Sequence, residues 1–182
     1  VAVHVEAASL NMHDLWTLQG VGIKREQFPM ILGCDGAGRL DDGTEVVIYP
    51  VVGDPGVAGD ETLDPKRSLL TERLQGTFAD VVVVPARNVV PRPAGLTSVQ
   101  SAVMGTAWLT AYRMLFGHRP HVLRPGHNVL VWGASGGLGS MAVQLIATQP
   151  ELTRLVDDVR RGNEPRARAL SGWRRELVGG EL

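Results

Sequence analysis

The sequence predicts an α/β plus β protein, in which a small β-barrel or sandwich-like domain precedes the beginning of a doubly wound parallel sheet. Short apolar segments separated by glycine and proline fill the first half of the chain, as in all-β domains. A helix with an N-terminal capping sequence is expected near the middle. After it, an apolar run breaks into a glycine-dense turn, which is typical of the first strand and helix of a nucleotide-binding sheet.

The β domain is predicted from four short strand-like segments. They cover residues 1–5, 30–39, 45–49 and 78–84. The sequence Asp41-Asp42-Gly43 predicts a turn between paired strands, because glycine adopts a positive φ at little steric cost. Residues 52–74 show weak periodicity and are expected to form a long surface loop.

A helix is predicted to begin at the capping box Thr97-Ser98-Val99-Gln100, where the Thr97 hydroxyl and the Gln100 side chain each satisfy a free backbone amide. Apolar residues cover most of the surface of the following helix, so we expect it to be buried between two layers. These residues are Ala102, Val103, Met104, Ala107, Trp108, Ala111, Tyr112, Leu115 and Phe116.

A dinucleotide site is predicted at residues 129–139, Val-Leu-Val-Trp-Gly-Ala-Ser-Gly-Gly-Leu-Gly. The apolar run is typical of a buried parallel strand, and residues 140–147 have the pattern of a helix. Glycines at 133, 136, 137 and 139 would let the backbone amides and the positive end of the helix dipole approach a diphosphate. The alternative is a purely structural turn.

The composition is that of an ordinary globular protein, with 182 residues, 44% of them hydrophobic, and a net charge of −1. No basic stripe indicates nucleic acid as a partner, and no apolar run approaches the roughly 20 residues that cross a bilayer. The single cysteine, Cys34, is compatible with a reducing compartment, so we expect a cytoplasmic protein. Because the chain begins without methionine and only residues 140–182 follow the glycine turn, we expect a fragment or a truncated product.

Five motifs in register give the sequence a family resemblance. They are Asn11-Met-His-Asp14, Leu32-Gly-Cys-Asp-Gly-Ala-Gly38, Gly76-Thr-Phe-Ala79, Thr106-Ala-Trp-Leu-Thr-Ala-Tyr112 and Gly133-Ala-Ser-Gly-Gly-Leu-Gly139. Over roughly residues 1–148 the chain resembles the medium-chain dehydrogenase/reductase superfamily, and is most similar to its zinc-independent quinone oxidoreductase-like branch. The resemblance implies a GroES-like β-barrel catalytic domain at 1–106. It also implies an incomplete Rossmann domain with a divergent tail at 107–182, and a nicotinamide cofactor in the cleft between the two.

The resemblance also suggests that this chain holds no metal. The positions that carry the catalytic zinc ligands in the zinc-containing branch correspond to Asn11, Cys34 and Thr106 here. Asparagine and threonine are poor zinc ligands beside thiolate and imidazole, and one cysteine cannot supply the shell that zinc favours. His13 and Asp35 are conceivable substitutes, but we predict no metal site.

By the same resemblance, the expected function is hydride transfer from NAD(P)H to a quinone or an α,β-unsaturated carbonyl compound. Asn11 and Thr110 are the candidate catalytic residues at the nicotinamide end, with Asn11 offering an amide donor and Thr110 a hydroxyl that also contacts the cofactor. The cofactor-binding loop would comprise Gly133, Ala134, Ser135, Gly136, Gly137, Leu138 and Gly139. The structural alternatives are a turn residue for Asn11, a helix back-bond for Thr110, and a bracing role for Asp14.

Residues 149–161 depart from the family pattern. The spacing of Leu152, Leu155, Val156 and Val159 favours a helix. The alternative is a strand ending at Asp157, where an acid would bind the ribose hydroxyls of NAD; Arg160 and Arg161 could instead meet a 2′-phosphate. We choose NADP(H) on the resemblance, with NAD(H) not excluded. An exposed sheet edge would permit oligomers, and the alternative function is a non-catalytic remnant or binding module.

Overall fold

The computed structural model describes residues 1–125, 127–148 and 153–157, the last of these as backbone only. The chain divides into two compact units, Val1–Thr106 and Ala107–Leu182. Each unit has an apolar cluster of its own, as expected for separate domains.

The first unit is built on a five-stranded antiparallel sheet. The strands of this unit are β1 (Ala2–Ser9), β2 (Asp35–Arg39), β3 (Glu45–Ile48), β4 (Val51–Val52), β5 (Ser68–Leu69), β6 (Val81–Val83) and β7 (Val89–Pro91). Its α-helices are α1 (Met12–Leu18) and α2 (Ser98–Ala102). The sheet order is β6-β1-β2-β3-β7, and β4 pairs with β5 separately. The four predicted strands in the first half of the chain are therefore confirmed, with a longer first strand and shorter bounds for the other three.

The predicted turn at Asp41-Asp42-Gly43 joins β2 to β3, as expected. Gly43 has a φ of 84°, and Arg39 lies opposite Glu45 in the antiparallel register. The expectation of a surface loop over 52–74 is only partly right, because this stretch contains β5 and buries Leu70 and Thr71 completely. Leu70 belongs to the apolar cluster of the sheet, and this packing overrides the polar character of the surrounding sequence.

A close approach between β1 and β2 explains the small residues of β2. A side chain at Gly38 would place its Cβ 1.9 Å from the carbonyl oxygen of His4, so only glycine fits there. The apolar cluster beneath the sheet comprises Val3, Cys34, Val46, Ile48, Leu70, Val82 and Val84. The start of β2 is thus held rigidly against the core, which fixes the backbone of its first residue, Asp35.

Four charged residues connect the strands on the other side of the sheet. Arg39 on β2 donates to Glu6 on β1 at 2.7 Å, and Arg92, just after β7, lies 3.2 Å from the second oxygen of Glu6. Both arginines also pair with Glu45 on β3. The Arg39 guanidinium is the main reason that the pKa of Glu6 lies below its usual value.

Within the described residues, the second unit contains two parallel strands and two α-helices. Its elements are α3 (Leu109–Tyr112), β8 (Asn128–Trp132), α4 (Gly137–Ala147) and β9 (Thr153–Asp157). The strands pair from Asn128 opposite Thr153 to Trp132 opposite Asp157. Val129 and Val131 on β8 pack with Val143 and Ile146 on α4, which gives the strand–turn–helix arrangement that the sequence predicts around the glycine turn.

The capped helix is confirmed at its start but not in its burial. The Thr97 hydroxyl accepts from the Gln100 amide at 3.2 Å, and Gln100 accepts from the Thr97 amide at 3.0 Å. After Ala102 the helix widens into π-helical turns at Met104–Trp108 and Arg113–Gly117. Tyr112 is 54% and Met114 57% exposed, so the predicted burial between two layers is wrong for this part of the chain.

The helix favoured over residues 149–161 is also wrong where the structure describes the backbone. Residues 153–157 form β9, so the alternative, a strand ending at Asp157, is confirmed. Pairing with β8 overrides a local pattern that fits both a helix and a strand. Leu152, Val159, Arg160 and Arg161 lie outside the described residues. None of the helices in the described ranges is long and apolar enough to cross a membrane.

Candidate functional site

The three positions singled out by the zinc comparison come together in the first unit, around a fourth residue. Asn11 lies between β1 and α1, Cys34 precedes β2, and Thr106 lies in the first π-helical turn after α2. At their centre is the side chain of Asp35, the first residue of β2, which is fully buried. Three separate segments of the chain therefore meet at one carboxyl group.

Three side-chain donors surround the Asp35 carboxyl group. The Thr106 hydroxyl donates to Oδ1 at 2.7 Å, while the Asn11 amide and the Ser9 hydroxyl donate to Oδ2 at 3.0 and 3.3 Å. The Thr77 hydroxyl donates to the main-chain oxygen of Asp35 at 2.7 Å. Burial raises the pKa of Asp35 above its usual value, although the bonds from Thr106 and Asn11 act in the opposite direction.

Cys34 is buried beside this carboxyl group as a neutral thiol. Desolvation by burial, with a smaller contribution from the charge of Asp35, raises the pKa of Cys34 to about 12. Its sulfur lies 3.5 Å from the Thr106 hydroxyl and 3.5 Å from the Asn11 amide nitrogen. Because the Thr106 hydrogen is committed to Asp35, the thiol donates to the Thr106 oxygen and its sulfur accepts from Asn11.

These directions change the expected role of Asn11. The side-chain nitrogen carries two hydrogens, and its neighbours are Asp35 at 3.0 Å and Cys34 at 3.5 Å. Both hydrogens are therefore directed into the cluster. This geometry favours an accepting over a donating role for Asn11 toward a ligand, since both N–H groups of its side chain already have acceptors, and the expected donation to a substrate or cofactor carbonyl stays a prediction.

Asp14 holds two sides of the cluster in place. It is 99% buried, and its carboxyl oxygens accept from the main-chain amides of Asn11 at 2.7 Å and Gly33 at 2.9 Å. Gly33 has a φ of +96°, and a Cβ there would lie 2.5 Å from the Thr77 hydroxyl. The bracing role considered for Asp14 thus agrees with the structure, because the carboxylate fixes the residues that flank Asn11 and Cys34.

The cluster does not fit a zinc ion. One cysteine beside an amide, a hydroxyl and a carboxyl group does not supply the sulfur and nitrogen shell that zinc favours. The amide nitrogen of Asn11 and the hydroxyl of Thr106 are already committed to Asp35. His13 contacts Thr71 at 3.1 Å, and among the described residues no group of three His, Cys, Asp or Glu side chains is arranged to hold a metal.

The glycine turn of the second unit is built for a close approach. Gly133 has a φ of +70°, and a Cβ at Gly139 would lie 2.3 Å from the carbonyl oxygen of Gly133. Gly136 is the N-cap of α4, and its carbonyl accepts from the Ser140 amide at 2.8 Å. In contrast, a Cβ at Gly137 would meet nothing within 4 Å. The turn is therefore closely packed at Gly139, against Gly133, and open at Gly137, the first residue of α4.

An orphaned hydroxyl also lies in this turn. Ser135 is 98% buried, and its Oγ has no hydrogen-bond partner within the described part of the chain. A buried hydroxyl without a partner costs free energy, which a bound phosphate oxygen would recover. Leu138 is 41% exposed, and Ala134 is fully buried in the apolar cluster. The residues of the turn thus fit a diphosphate at the N-terminus of α4.

The two candidate catalytic residues belong to different units. Asn11 lies in the first unit, whereas Thr110 lies on α3 of the second unit with an exposed side chain. Sequence reasoning missed Ser9 and Thr77, and it treated Asp35 only as a conceivable metal ligand. The available clue was a single carboxylate within the small-residue run Gly33-Cys-Asp-Gly-Ala-Gly38, because a charge in such a strand needs several donors.

Comparison with known proteins agrees with this architecture. Residues 1–94 match the model of the alcohol dehydrogenase GroES-like domain. The crotonyl-CoA carboxylase/reductase of Cereibacter sphaeroides is 40% identical over 167 residues, which is 81% of this chain and 39% of that protein. The fold and the matched model define the class, a protein with an alcohol dehydrogenase GroES-like domain before a Rossmann-type unit.

Two solved structures give the same result. An NAD-dependent alcohol dehydrogenase is 32% identical with a TM-score of 0.78, covering 93% of this chain and 53% of that one. A 2-octenoyl-CoA carboxylase reductase, in complex with NADP and 2-octenoyl-CoA, is 29% identical with a TM-score of 0.78, covering 94% and 45%. The chain belongs to the medium-chain dehydrogenase/reductase superfamily. It spans about two fifths to one half of the length of these relatives.

Proposed function

We propose that this chain carries an NAD(P)H-dependent reductase site that transfers hydride to a conjugated acceptor, with an α,β-unsaturated carbonyl compound preferred over a quinone. The observation that carries the proposal is the hydrogen-bonded cluster around Asp35. Its amide and hydroxyl donate to Asp35, and one cysteine does not supply the sulfur and nitrogen shell that zinc favours, so we propose a reaction without a metal ion at the substrate oxygen. The reaction then suits a substrate whose own conjugation disperses the charge that develops on hydride addition.

The comparisons support the unsaturated carbonyl over the quinone. Two of the relatives are named for crotonyl-CoA and 2-octenoyl-CoA, both of which carry a carbon–carbon double bond conjugated to a thioester. A quinone stays the second acceptor to be tested.

The glycine turn is the proposed cofactor site. When bound there, a nicotinamide dinucleotide would supply the hydride. The amides at the N-terminus of α4 would bind the diphosphate, and Ser135 would donate its unpaired hydroxyl hydrogen. The open space above Gly137 would admit a phosphate oxygen, and the tight packing at Gly139 would hold the turn in shape. Thr110 is proposed to contact the nicotinamide end, as the resemblance implies.

The choice between the two cofactors has an argument on each side. NADP(H) is proposed from the resemblance, and one structural relative is in complex with NADP. The position of Asp157 favours NAD(H), because it ends β9 opposite Trp132, the last residue of β8. An acid at the end of the second strand of such a unit binds the ribose hydroxyls of NAD and repels a 2′-phosphate.

Isothermal titration of NADPH and NADH into the purified chain tests the cofactor site. A dissociation constant in the micromolar range corresponds to about −8 kcal/mol, and a tenfold preference between the cofactors to about 1.4 kcal/mol. If the chain prefers NADH, and Asp157→Asn reduces that preference, the proposed cofactor becomes NAD(H) instead of NADP(H). No binding to a folded chain would favour the alternative function, a non-catalytic module.

Turnover with crotonyl-CoA and with a benzoquinone, followed by the loss of NAD(P)H absorbance, tests the acceptor. Faster turnover of crotonyl-CoA supports the proposal, and activity with the quinone alone contradicts the preference. Metal analysis of protein purified without added metal provides an independent check, because stoichiometric zinc would overturn the zinc-independent mechanism.

A further inference from the structure

Asp35 determines which end of the Asn11 amide is available to a ligand. Three side-chain donors converge on the Asp35 carboxyl group, which therefore acts as an acceptor, so the group 3.0 Å from Oδ2 is the amide nitrogen and not the amide oxygen. The remaining hydrogen of that nitrogen is directed to the Cys34 sulfur. The carbonyl oxygen, Oδ1, is therefore turned away from Asp35.

The other donors around Asp35 reinforce this orientation. Thr106 donates to one carboxyl oxygen, and Ser9 shares the second oxygen with Asn11. The four groups Asn11, Cys34, Thr106 and Asp35 form a closed ring in which each hydrogen has one acceptor. Turning the Asn11 amide by 180° would place its oxygen against a carboxylate oxygen and leave Cys34 without its donor, so the ring admits one orientation.

Asn11 keeps acceptor capacity outside the ring. It is the N-cap of α1, but the Asp14 amide already donates to its main-chain oxygen at 3.1 Å. A carbonyl oxygen has two lone pairs, so Oδ1 can accept from a ligand even where it also caps the helix. The side chain is partly exposed, unlike the buried Asp35 behind it.

We propose that Asp35 is a positioning residue that fixes the Asn11 amide with its hydrogens inward, so that this site recognises a hydrogen-bond donor of the bound cofactor or substrate. The ligand group is an N–H or O–H, such as the carboxamide of a nicotinamide or a hydroxyl of the ribose, and not a carbonyl oxygen. The orientation is independent of the proposed reductase function, whereas the identity of the donor rests on it.

Exchange of the Asn11 side-chain amide with water, measured by ¹⁵N NMR, tests the orientation in the free chain. The resonance pair is assigned by its loss in Asn11→Ala. In the wild type we expect exchange at least tenfold slower than at Asn128, whose residue is exposed. Exchange as fast as at Asn128 would overturn the proposal, and both rates are measured on the wild type.

Variants of the ring separate a positioning role from general stability. Asp35→Asn replaces a carboxyl oxygen by an amide NH₂ group. Protection of the Asn11 side-chain amide against exchange with water should therefore fall at least tenfold. Ser9→Ala is the matched control, because it removes a donor from the same carboxyl oxygen without touching Asn11. Equal protection in wild type and folded Asp35→Asn would refute the positioning role.

The source of the donor is tested with NADPH and its 3-acetylpyridine analogue, which lacks the carboxamide N–H. If the carboxamide is the donor, the analogue binds the wild type about tenfold more weakly, and this ratio falls to about one in Asn11→Ala. If a ribose hydroxyl is the donor, Asn11→Ala weakens both ligands equally. Unchanged binding of both to Asn11→Ala overturns the acceptor role. If the wild type binds neither, the proposed cofactor function fails, and amide exchange alone decides the role of Asp35.

Discussion

The glycine turn permits a paired test, because two of its glycines differ in what a methyl group would meet. At Gly139 an added Cβ would lie 2.3 Å from the Gly133 oxygen and 2.7 Å from the Ala134 Cα. Both are backbone atoms, so the turn itself would have to move, at a cost of about 1–3 kcal/mol for overpacking of this kind. At Gly137 the Cβ would meet nothing within 4 Å, and alanine is favoured over glycine in a helix by up to about 1 kcal/mol.

The two substitutions should therefore have opposite effects on stability. For a chain of this length, 1 kcal/mol changes the melting temperature by about 2–4 °C, so Gly139→Ala should melt roughly 2–12 °C below the wild type. Gly137→Ala should melt at or slightly above the wild-type temperature. If the open space is the phosphate site, both variants should weaken NAD(P)H binding, the first by deforming the turn and the second by occupying it.

Thermal melts followed by circular dichroism, together with isothermal titration of NADPH and NADH, measure both effects. The informative variant is Gly137→Ala, since its fold is expected to be intact. Wild-type affinity in that variant would show that the space above Gly137 does not hold the diphosphate. A wild-type melting temperature for Gly139→Ala would refute the packing argument for the turn.

Two further predictions concern the first unit. Cys34, with a pKa of about 12 against the usual 9.0, should react at pH 8 about 1,000-fold more slowly with a disulfide reagent than an unfolded control. Because the pKa of Cys34 is raised in the folded state, its contribution to the free energy of unfolding is complete below about pH 9 and falls as the pH rises toward 12. The free energy of unfolding of Cys34→Ala should lack this fall between pH 9 and 12. In urea melts Arg92→Ala should destabilise by more than Arg39→Ala, since the Arg92 side chain is 8% exposed and that of Arg39 is 45% exposed. Equal midpoints would show that the buried arginine contributes no more than an exposed surface pair, for which about 0–1 kcal/mol is usual.

Features set by neighbouring residues could be predicted from the sequence. The capping box at Thr97 and the turn at Gly43 depend on contacts within four residues, and both are found as expected. The apolar run before Gly133 likewise predicts β8. The strand at 153–157 could not be separated from a helix, because Leu155 and Val156 suit both and the pairing with β8 decides between them.

The polar cluster lay beyond local sequence reasoning for a different reason. Its members come from three segments, and the resemblance brought Asn11, Cys34 and Thr106 together only as the positions of zinc ligands in other members of the family. What they do instead depends on Asp35, whose carboxyl group needs donors because it is fully buried. The direction of each hydrogen bond then follows from the donors that converge on Asp35, which no spacing in the sequence encodes.

The ring also limits how this site could change. Each of Asn11 and Thr106 supplies Asp35 with a donor, and Cys34 links the two. Replacing Asn11 or Thr106 alone by a metal-binding side chain would leave the buried carboxylate one donor short, at a cost of about 1–3 kcal/mol or more for a charged group. A zinc shell would recover that cost only once several ligands were present together. Single substitutions toward a metal site are therefore destabilising, and the hydrogen-bonded ring is a self-consistent alternative to a metal centre at these positions.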